Sequence, residues 1–438
     1  MIPKKKVISP SLILEAVQTD RFKTETLSVS IVTPMSREQT PLNVLALSTL
    51  KRGTEKFATQ GQINKRLDEL YATGIGIRMD RYGDLDLLGF SAEMLDSAYT
   101  DGKTDILDGT LDVIVQMLFH PLLDEEGNLL SRYVESEKDN ICDAIEAQIN
   151  NPRSYASKRC REIMFGEDDY GAGMLGTVEQ IRSIDAKTLT EAYRRLITEH
   201  PIRVFYVGSK TVDEIEYYIR KRILSYSSGT VCLKEKPLAP FKKEGKIKRI
   251  TEKIQLKQGK LVLGFQTGTN LIDGDFYPML VLAEIYGGSP ISKLFMNVRE
   301  RMSLCYYCGA TYDIYKGVMF VSSGIDPQNL EVAEKEILHQ LEEIANGSIK
   351  KDEFDAAIRS ILCSYRSISD MPTTLESFYA GRELFGAQCT VSEFMDGICR
   401  VTPEDVVRVS QKIKTDTVYF LCGDGSGGEE EEDPDDIA

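Results

Sequence analysis

The stretch Thr40-Pro-Leu-Asn-Val-Leu-Ala-Leu-Ser-Thr-Leu-Lys-Arg-Gly-Thr54 decides how the rest of the chain is interpreted. Thr40 is a residue type that caps helix N-termini, and Pro41 suits the first helical position. Gly53 suits the left-handed position that often follows a helix. The stretch therefore predicts a short helix of about three turns.

One face of this predicted helix carries Val44, Leu47 and Ser48. Positions 44 and 48 are four residues apart, so their side chains lie on the same side of a helix, with position 47 beside them. None of the three residues is a strong metal ligand or a general base. Taken alone, the helix is predicted to be part of a hydrophobic core.

The segments around this helix occur twice in the same order. Each copy has a strand, two helices, a β-hairpin, long helices, and a last helix and strand, over roughly 200 residues. The clearest internal match is between Lys187–Gly208 and Thr402–Gly423, where a helix precedes an apolar strand. Hairpins with segregated helices predict an α+β fold of two homologous domains. Each domain is expected to be a mostly antiparallel sheet covered by helices, and the two are expected to form a clamshell around a cavity.

Composition shifts set the predicted boundaries. The N-terminal domain is predicted at residues 1–225 and the C-terminal domain at 247–424. Residues 226–246 are rich in Ser, Pro and Lys, which is typical of a linker. Residues 425–438 contain seven acidic residues and predict a disordered tail.

The bulk composition limits the function classes. The chain has 438 residues, of which 42% are apolar and 28% charged, as in soluble globular proteins. No apolar run reaches the ~18 residues of a membrane span, and the basic start is not followed by an apolar signal segment. The net charge of −15 disfavours nucleic acid and weakly favours basic partners. We therefore expect a cytoplasmic protein that binds neither membrane nor nucleic acid.

The cysteines and histidines offer little metal chemistry. Nine scattered cysteines predict reduced core residues, although Cys305 and Cys308 form a C-x-x-C that leaves a zinc or redox site open. The three histidines are His120, His200 and His339, and no two are close enough in sequence to share a helix face. His339 precedes Glu343 by four residues, a spacing predicted here to be an exposed helix surface.

Two motifs carry a resemblance to a known family. The first is Leu50-Lys-Arg-Gly-Thr54, after the predicted helix, and the second is Arg299-Glu-x-x-x-Leu-x-Tyr306. With the duplicated plan, they resemble the pitrilysin (insulinase) family of zinc metallopeptidases over essentially the whole chain. The second motif resembles the family's substrate-binding Arg and Tyr in its second half.

The resemblance implies a degenerate zinc site. In the family, H-x-x-E-H lies on the first helix, directly before the run that Arg52-Gly-Thr54 matches. The positions of the zinc histidines then fall on Val44 and Ser48, and that of the general-base glutamate falls on Leu47.

The position of the family's third ligand, a glutamate in a later helix, falls on Ala144. This register is set by Glu137-Lys138 and could shift, because Glu135 and Glu146 are nearby. The resemblance therefore implies that the chain has no metal of its own and no catalytic residue.

Arg299 and Tyr306 have two interpretations. A surface salt bridge and a half-buried strand tyrosine would explain them without a ligand. The resemblance implies instead that they hold the substrate carbonyl and stabilise the oxyanion at the zinc of a partner.

The leading prediction is a non-catalytic, peptide-binding subunit of a heterodimeric zinc metallopeptidase. It resembles the inactive member of bacterial peptidase pairs, including the type associated with elongation factor P modification. Zinc is expected only in a homologous partner that carries H-x-x-E-H. The substrate is expected to be a peptide, and the acidic charge favours a basic one. A structural or adaptor protein with no role in proteolysis is the alternative. An autonomous enzyme with a Ser/His/Asp site stays open, but the chain has no nucleophile elbow.

Overall fold

The computed structural model describes residues 2–227 and 238–423. Cys232, residues 228–237 of the predicted linker and the predicted acidic tail at 425–438 lie outside the described residues. Within the described ranges, no helix combines the length and apolar character needed to cross a membrane. The cytoplasmic location stays a prediction.

The strands of the described residues form two sheets. They are numbered in chain order as β1 (Lys4–Ser9), β2 (Leu12–Gln18), β3 (Thr24–Pro34), β4 (Gly74–Tyr82), β5 (Leu85–Leu95), β6 (Ile202–Gly208), β7 (Lys248–Ile254), β8 (Gly259–Gln266), β9 (Cys305–Asp313), β10 (Val318–Ile325) and β11 (Lys414–Gly423).

The two sheets repeat one topology. The first has the order β1-β2-β6-β3-β5-β4 and the second β7-β11-β8-β10-β9. In each, one parallel pair, β2 with β6 or β7 with β11, is followed by antiparallel pairs out to the edge strand, β4 or β9. The predicted α+β fold of two homologous, mostly antiparallel sheets with helices is confirmed.

The helices separate the strands in both copies. They are α1 (Gln39–Leu50), α2 (Gln60–Glu69), α3 (Ile106–Phe119), α4 (Ser131–Glu146), α5 (Pro152–Phe165), α6 (Val178–Ser183), α7 (Ala186–Glu199), α8 (Val212–Arg222), α9 (Phe276–Ala283), α10 (Leu330–Ala345), α11 (Lys351–Ser367), α12 (Pro372–Leu384), α13 (Val391–Cys399) and α14 (Pro403–Ser410). Two π-helical segments, Glu284–Gly288 and Leu294–Arg301, follow α9.

The compact units of the fold are not contiguous in sequence. The first unit consists of Met1–Glu146, Ala172–Lys236 and Ser367–Thr390, and the second of Ala147–Gly171, Pro237–Arg366 and Val391–Ala438. Within the first unit α12 packs against β3 and β6, and within the second α5 packs against β8 and β11. Each sheet therefore has one face covered by a helix from the other half of the chain.

The predicted division at residues 1–225 and 247–424 places α5 in the N-terminal domain and α12 in the C-terminal domain. It therefore does not include the exchange of these two helices between the compact units. The described end of the predicted linker also has fixed contacts in the second unit. The Phe241 backbone N–H donates to the carbonyl oxygen of Lys316 at 2.7 Å, and its ring lies 4.3 Å from that of Phe165, between centroids. Residues 238–246 therefore pack against the second unit and are not a free tether.

The two faces of the first sheet differ in chemistry. On β3, Leu27, Val29 and Ile31 belong to the main hydrophobic core, which also contains residues of α1, α3, α4 and α7. The alternate residues Thr26, Ser28 and Ser30 are also buried, but they lie on the face that α12 covers. From Thr26 to Ile31, β3 is therefore apolar on one face of the sheet and polar on the other.

The α1 helix differs from the sequence prediction at both ends. It begins at Gln39, and Thr40 lies inside it, with its hydroxyl donating to Asp86 Oδ2 at 2.7 Å. Gly53 is absent from the glycines with positive φ. A Cβ at this position would lie 2.7 Å from the carbonyl oxygen of Ala58, so close backbone approach accounts for the glycine. The predicted capping roles of Thr40 and Gly53 are therefore wrong.

We predict that Gly89→Ala in β5 destabilises the fold by about 3 kcal/mol because it overpacks the sheet interior. A Cβ at Gly89 would lie 2.1 Å from the carbonyl oxygen of Val29. The matched control is Gly76→Ala in β4, where a Cβ meets nothing within 4 Å and a change within about 1 kcal/mol is expected. Urea unfolding of both variants measures the difference, and equal stabilities would contradict the prediction.

Candidate functional site

Two of the three α1 positions aligned with a zinc motif are part of the hydrophobic core. The exposed fractions of Val44 and Leu47 are 1% and 0%, and both belong to the main core of the first unit. Ser48 is 8% exposed. Polar ligands at 44 and 47 would replace core side chains, so this face of α1 now stabilises the fold.

The helix predicted to carry the third ligand does pack against α1. Arg52, just after α1, forms an ion pair with the buried Glu137 of α4. Lys138 Nζ donates to Glu135 Oε1 at 3.0 Å and to the carbonyl oxygen of Ile184 at 2.8 Å. The Glu137-Lys138 pair therefore links α4 to Arg52 and to the backbone of Ile184. Ala144 lies farther along α4 and is exposed.

These residues do not fit a zinc ion. Val44, Leu47 and Ala144 have no donor atom, and the Ser48 hydroxyl is not among the imidazole, thiolate and carboxylate groups that bind zinc. In the described residues, no group of three or more His, Cys, Asp or Glu side chains is arranged to hold a metal.

None of the three histidines lies on α1 or α4. His120 Nε2 is 2.6 Å from the Tyr226 hydroxyl. Burial lowers the pKa of His200, which follows α7. His339 is exposed on α10, as predicted for a solvent-facing helix surface.

The C-x-x-C pair begins the edge strand of the second sheet. Cys305 and Cys308 are both free thiols, 9% and 6% exposed, as predicted for core cysteines. The same prediction is wrong for Cys363 and Cys399, which are exposed. A hydrogen bond between the thiols lowers the pKa of Cys305 and raises that of Cys308. The zinc alternative for this pair lacks further ligands among the described side chains.

Arg299 and Tyr306 lie on an unusually irregular stretch of backbone. Arg299 belongs to the π-helical segment Leu294–Arg301, and Ser303 has a φ of 51°, in the left-handed region. Tyr306 is the extra residue of a β-bulge, because Cys305 pairs with Ile325 and Tyr307 with Gly324. π-Segments, bulges and left-handed residues that are not glycine recur at functional sites.

Both side chains are open to solvent. Tyr306 is 65% exposed, and its hydroxyl has no hydrogen-bond partner among the described residues. The Arg299 side chain is 43% exposed, with Nε 3.5 Å from Glu300 Oε1 and its guanidinium 4.6 Å from the Phe295 ring centroid. An exposed pair of this kind contributes about 0–1 kcal/mol, so it holds the arginine only weakly. The interpretation of Tyr306 as a half-buried strand residue does not fit its exposure.

A depression of about 620 Å³ lies beside β4, the edge strand of the first sheet. Its lining includes Gly74, Gly76 and Arg78 of β4, Glu93 of β5 and Glu376 of α12. All of these residues belong to the first compact unit. We call this depression the β4 pocket.

A buried charge cluster forms one side of the β4 pocket. Arg78 and Glu376 form an ion pair, and Ser28 bonds to both. Arg78 Nε also donates to Asp80 Oδ2 at 2.6 Å. Burial alone would lower the pKa of Arg78, but Glu376 and Asp80 outweigh it and raise this pKa. The arginine is therefore always charged and fully engaged.

Sequence reasoning missed the β4 pocket. Its α12 wall comes from a segment about 300 residues downstream of β4, and no local pattern predicts that pairing. The available signal is Gly74-x-Gly76 at the start of β4, since glycines in strands often mark a close approach by a ligand or another backbone.

The comparisons with known proteins agree with this picture. Residues 183–361 match the family model described as Peptidase M16 inactive domain. A Bacillus subtilis (strain 168) protein described as "Probable inactive metalloprotease YmfF" is 28% identical over 407 residues, covering 93% of this chain and 95% of that one. Over residues 183–361 the chain is therefore similar to the inactive domain of M16 peptidases. The predicted resemblance to pitrilysin-like peptidases is confirmed, and the likeness to a probable inactive metalloprotease supports the predicted lack of catalysis.

Solved structures extend the similarity to the whole fold. A conserved protein from Enterococcus faecalis V583 has a TM-score of 0.90 at 23% identity, covering 98% of this chain and 100% of that one. A peptidase M16 inactive domain from Pseudomonas fluorescens has a TM-score of 0.78 at 15% identity, with the same coverage. At 23% and 15% identity, these structural similarities support the fold alone.

We predict that zinc does not stabilise the wild-type chain. The quadruple variant Val44→His/Leu47→Glu/Ser48→His/Ala144→Glu should be less stable without metal, because two core side chains become polar. If the four positions are correctly aligned, zinc at a hundred times its Kd should restore about 3 kcal/mol. Thermal unfolding with and without zinc measures both effects.

The matched control is the variant Val44→His/Leu47→Glu/Ser48→Ala/Ala144→Glu, in which alanine takes the place of the second histidine. This control should gain much less from zinc, because a three-ligand site loses one imidazole. Equal responses of the two variants, or a zinc response of the wild type, would contradict the placement.

Proposed function

We propose that this chain is the non-catalytic, peptide-binding subunit of a heterodimeric zinc metallopeptidase. Its partner would be a homologous subunit that carries H-x-x-E-H and the zinc ion. This chain would bring no metal and would supply Arg299 and Tyr306 to the substrate. The similarity to an M16 inactive domain and to a probable inactive metalloprotease supports this proposal, and the partner and the peptide are its proposed part.

The observation that carries the proposal is the backbone around Arg299 and Tyr306. A π-segment, a left-handed serine and a β-bulge occur between Leu294 and Tyr306, and both side chains are in solvent. Such strain persists only when the surrounding structure holds it. The neighbouring Tyr307 is packed instead, with the Arg153 guanidinium 4.1 Å from its ring centroid. An exposed pair on a constrained backbone supports a role in binding.

The chemistry of this pair suits a peptide carbonyl. A guanidinium and a phenol donate hydrogen bonds to a carbonyl oxygen and bind it more tightly as negative charge develops. Zinc in the partner would supply the activated water. Arg299 and Tyr306 would then orient the substrate and stabilise the oxyanion from the side opposite that water.

The exposed edge of β4 suits an extended peptide. This strand ends its sheet and, among the described residues, pairs with β5 alone. An edge strand has unpaired backbone N–H and C=O groups on its outer side, to which a peptide strand can bond. The net charge of −15 supports a preference for basic peptides.

We predict that Arg299→Ala and Tyr306→Phe each lower kcat of the assembled peptidase about a hundredfold, the usual loss for one oxyanion donor. The chain is co-purified with its zinc-bearing partner, and cleavage of a quenched fluorescent peptide is followed. Metal analysis should find zinc in the complex and none in this chain alone.

The matched controls are Arg301→Ala and Tyr217→Phe. Arg301 lies in the same π-helical segment with a 64% exposed side chain, and Tyr217 is 63% exposed on α8. Both should leave kcat within twofold. If all four variants cleave like the wild type in an intact complex, the chain is a structural or adaptor protein and the proposal fails.

A further inference from the structure

The residues of the first sheet around the β4 pocket are aligned in rows across the strands. Thr26 of β3 pairs with Glu93 of β5, and Glu93 pairs with Gly74 of β4. In the next row on the same face, Ser28 pairs with Ser91, and Ser91 with Gly76. Residues in one row place their side chains on the same face of the sheet. This is the face that α12 covers in part.

Glycines end both rows at the free edge. A Cβ on Gly74 would meet only the carbonyl oxygen of Glu93, at 4.0 Å, and a Cβ on Gly76 would meet nothing within 4 Å. Both glycines are exposed and have no positive φ that would require them. Their effect is to leave the floor of the β4 pocket bare.

The charges that line the β4 pocket are mostly acidic. Its carboxylates belong to Asp80, Glu93 and Glu376, and its one cation is Arg78. Arg78 is bonded to Glu376, Ser28 and Asp80. The exposed Glu93 carboxylate, in contrast, has no hydrogen-bond or ion-pair partner within the described part of the chain. The pocket therefore has an unmatched negative charge at the inner end of the Gly74 row.

We propose that the β4 pocket binds a lysine or arginine side chain of an extended peptide paired with β4, and that Glu93 is its charge partner. This inference rests on the proposed peptide-binding function and names the residue class that the peptide presents. A peptide residue opposite Gly74 lies in the same row as Glu93, two strand spacings or about 10 Å away. Only the bare glycine separates them on this face.

The geometry selects a long basic side chain over the other classes. A lysine or arginine stem packs on the glycine backbone while its head reaches the carboxylate. A short side chain does not cross the row, an acidic one meets three carboxylates, and an apolar one leaves Glu93 unpaired beside it. Bulkier residues at 74 or 76 would fill this path.

The test uses the full-length chain and three fluorescein-labelled nine-residue peptides of Ser, Thr, Val and Gly that differ only at the central position. That residue is arginine, its neutral isostere citrulline, or glutamate. We expect the arginine peptide to bind about fivefold more tightly than the citrulline peptide in fluorescence anisotropy, as for one partly exposed ion pair. The glutamate peptide should bind most weakly, and 1 M salt should remove the differences.

Two variants locate the effect. Glu93→Gln should abolish the preference for arginine without changing the affinity for the citrulline peptide. Gly74→Val should abolish it by filling the row, and valine is well tolerated in strands. The control Glu191→Gln removes an exposed carboxylate from α7 and should keep the full preference.

The outcomes separate this inference from the function on which it rests. If the arginine and citrulline peptides bind the wild type equally, or Glu93→Gln keeps the preference, the basic pocket is wrong, but strand addition stands. If no peptide binds the chain, alone or in its complex, both ideas fail. The cleavage assay with Arg299 and Tyr306 variants tests the paired peptidase independently of the pocket.

Discussion

Each sheet of this protein must be covered on two faces, and the rest of the fold depends on how this is achieved. In the first unit, one face packs into the main core with α1, α3, α4 and α7. The other face carries Thr26, Ser28 and Ser30, and its cover is α12, which arrives from the second half of the sequence. Removing one partner of the buried Arg78–Glu376 pair beneath α12 would leave an uncompensated charge, at a cost of about 3–5 kcal/mol. The pair therefore specifies where α12 docks.

That docking also creates the β4 pocket. Without α12, the glycines at 74 and 76 would lie on an open sheet face. With it, the edge strand gains a wall that carries Glu376 and a second carboxylate-rich side from Asp80 and Glu93. The first unit thus joins a free strand edge to a pocket beside it, an arrangement in which backbone pairing gives affinity and side-chain pockets give specificity. In the second unit, the irregular backbone of residues 294–306 holds Arg299 and Tyr306 in solvent.

Much of the architecture was predictable because its signals are local. The internal repeat of strands, hairpins and helices anticipated the shared strand order of the two sheets. The first helix was placed correctly, but the roles of Thr40 and Gly53 were not, because Thr40 bonds to Asp86 in a distant strand and Gly53 is crowded by Ala58. The family resemblance identified Val44, Leu47 and Ser48 as positions of a degenerate zinc site, and the core role predicted for this helix holds for Val44 and Leu47. The exchange of α5 and α12 has no sequence signal at all, since it is a choice between surfaces far apart in the chain.

The exchange of these two helices has a consequence for how the chain can be divided. The duplicated halves look like separable domains, yet a cut within residues 228–237 would give fragments that each lack a helix and hold the one the other needs. Such fragments would each expose a sheet face when alone and bury it only on reassociation. The protein is therefore suited to fragment complementation, in which two fragments that are inactive alone signal their association by regaining the native fold.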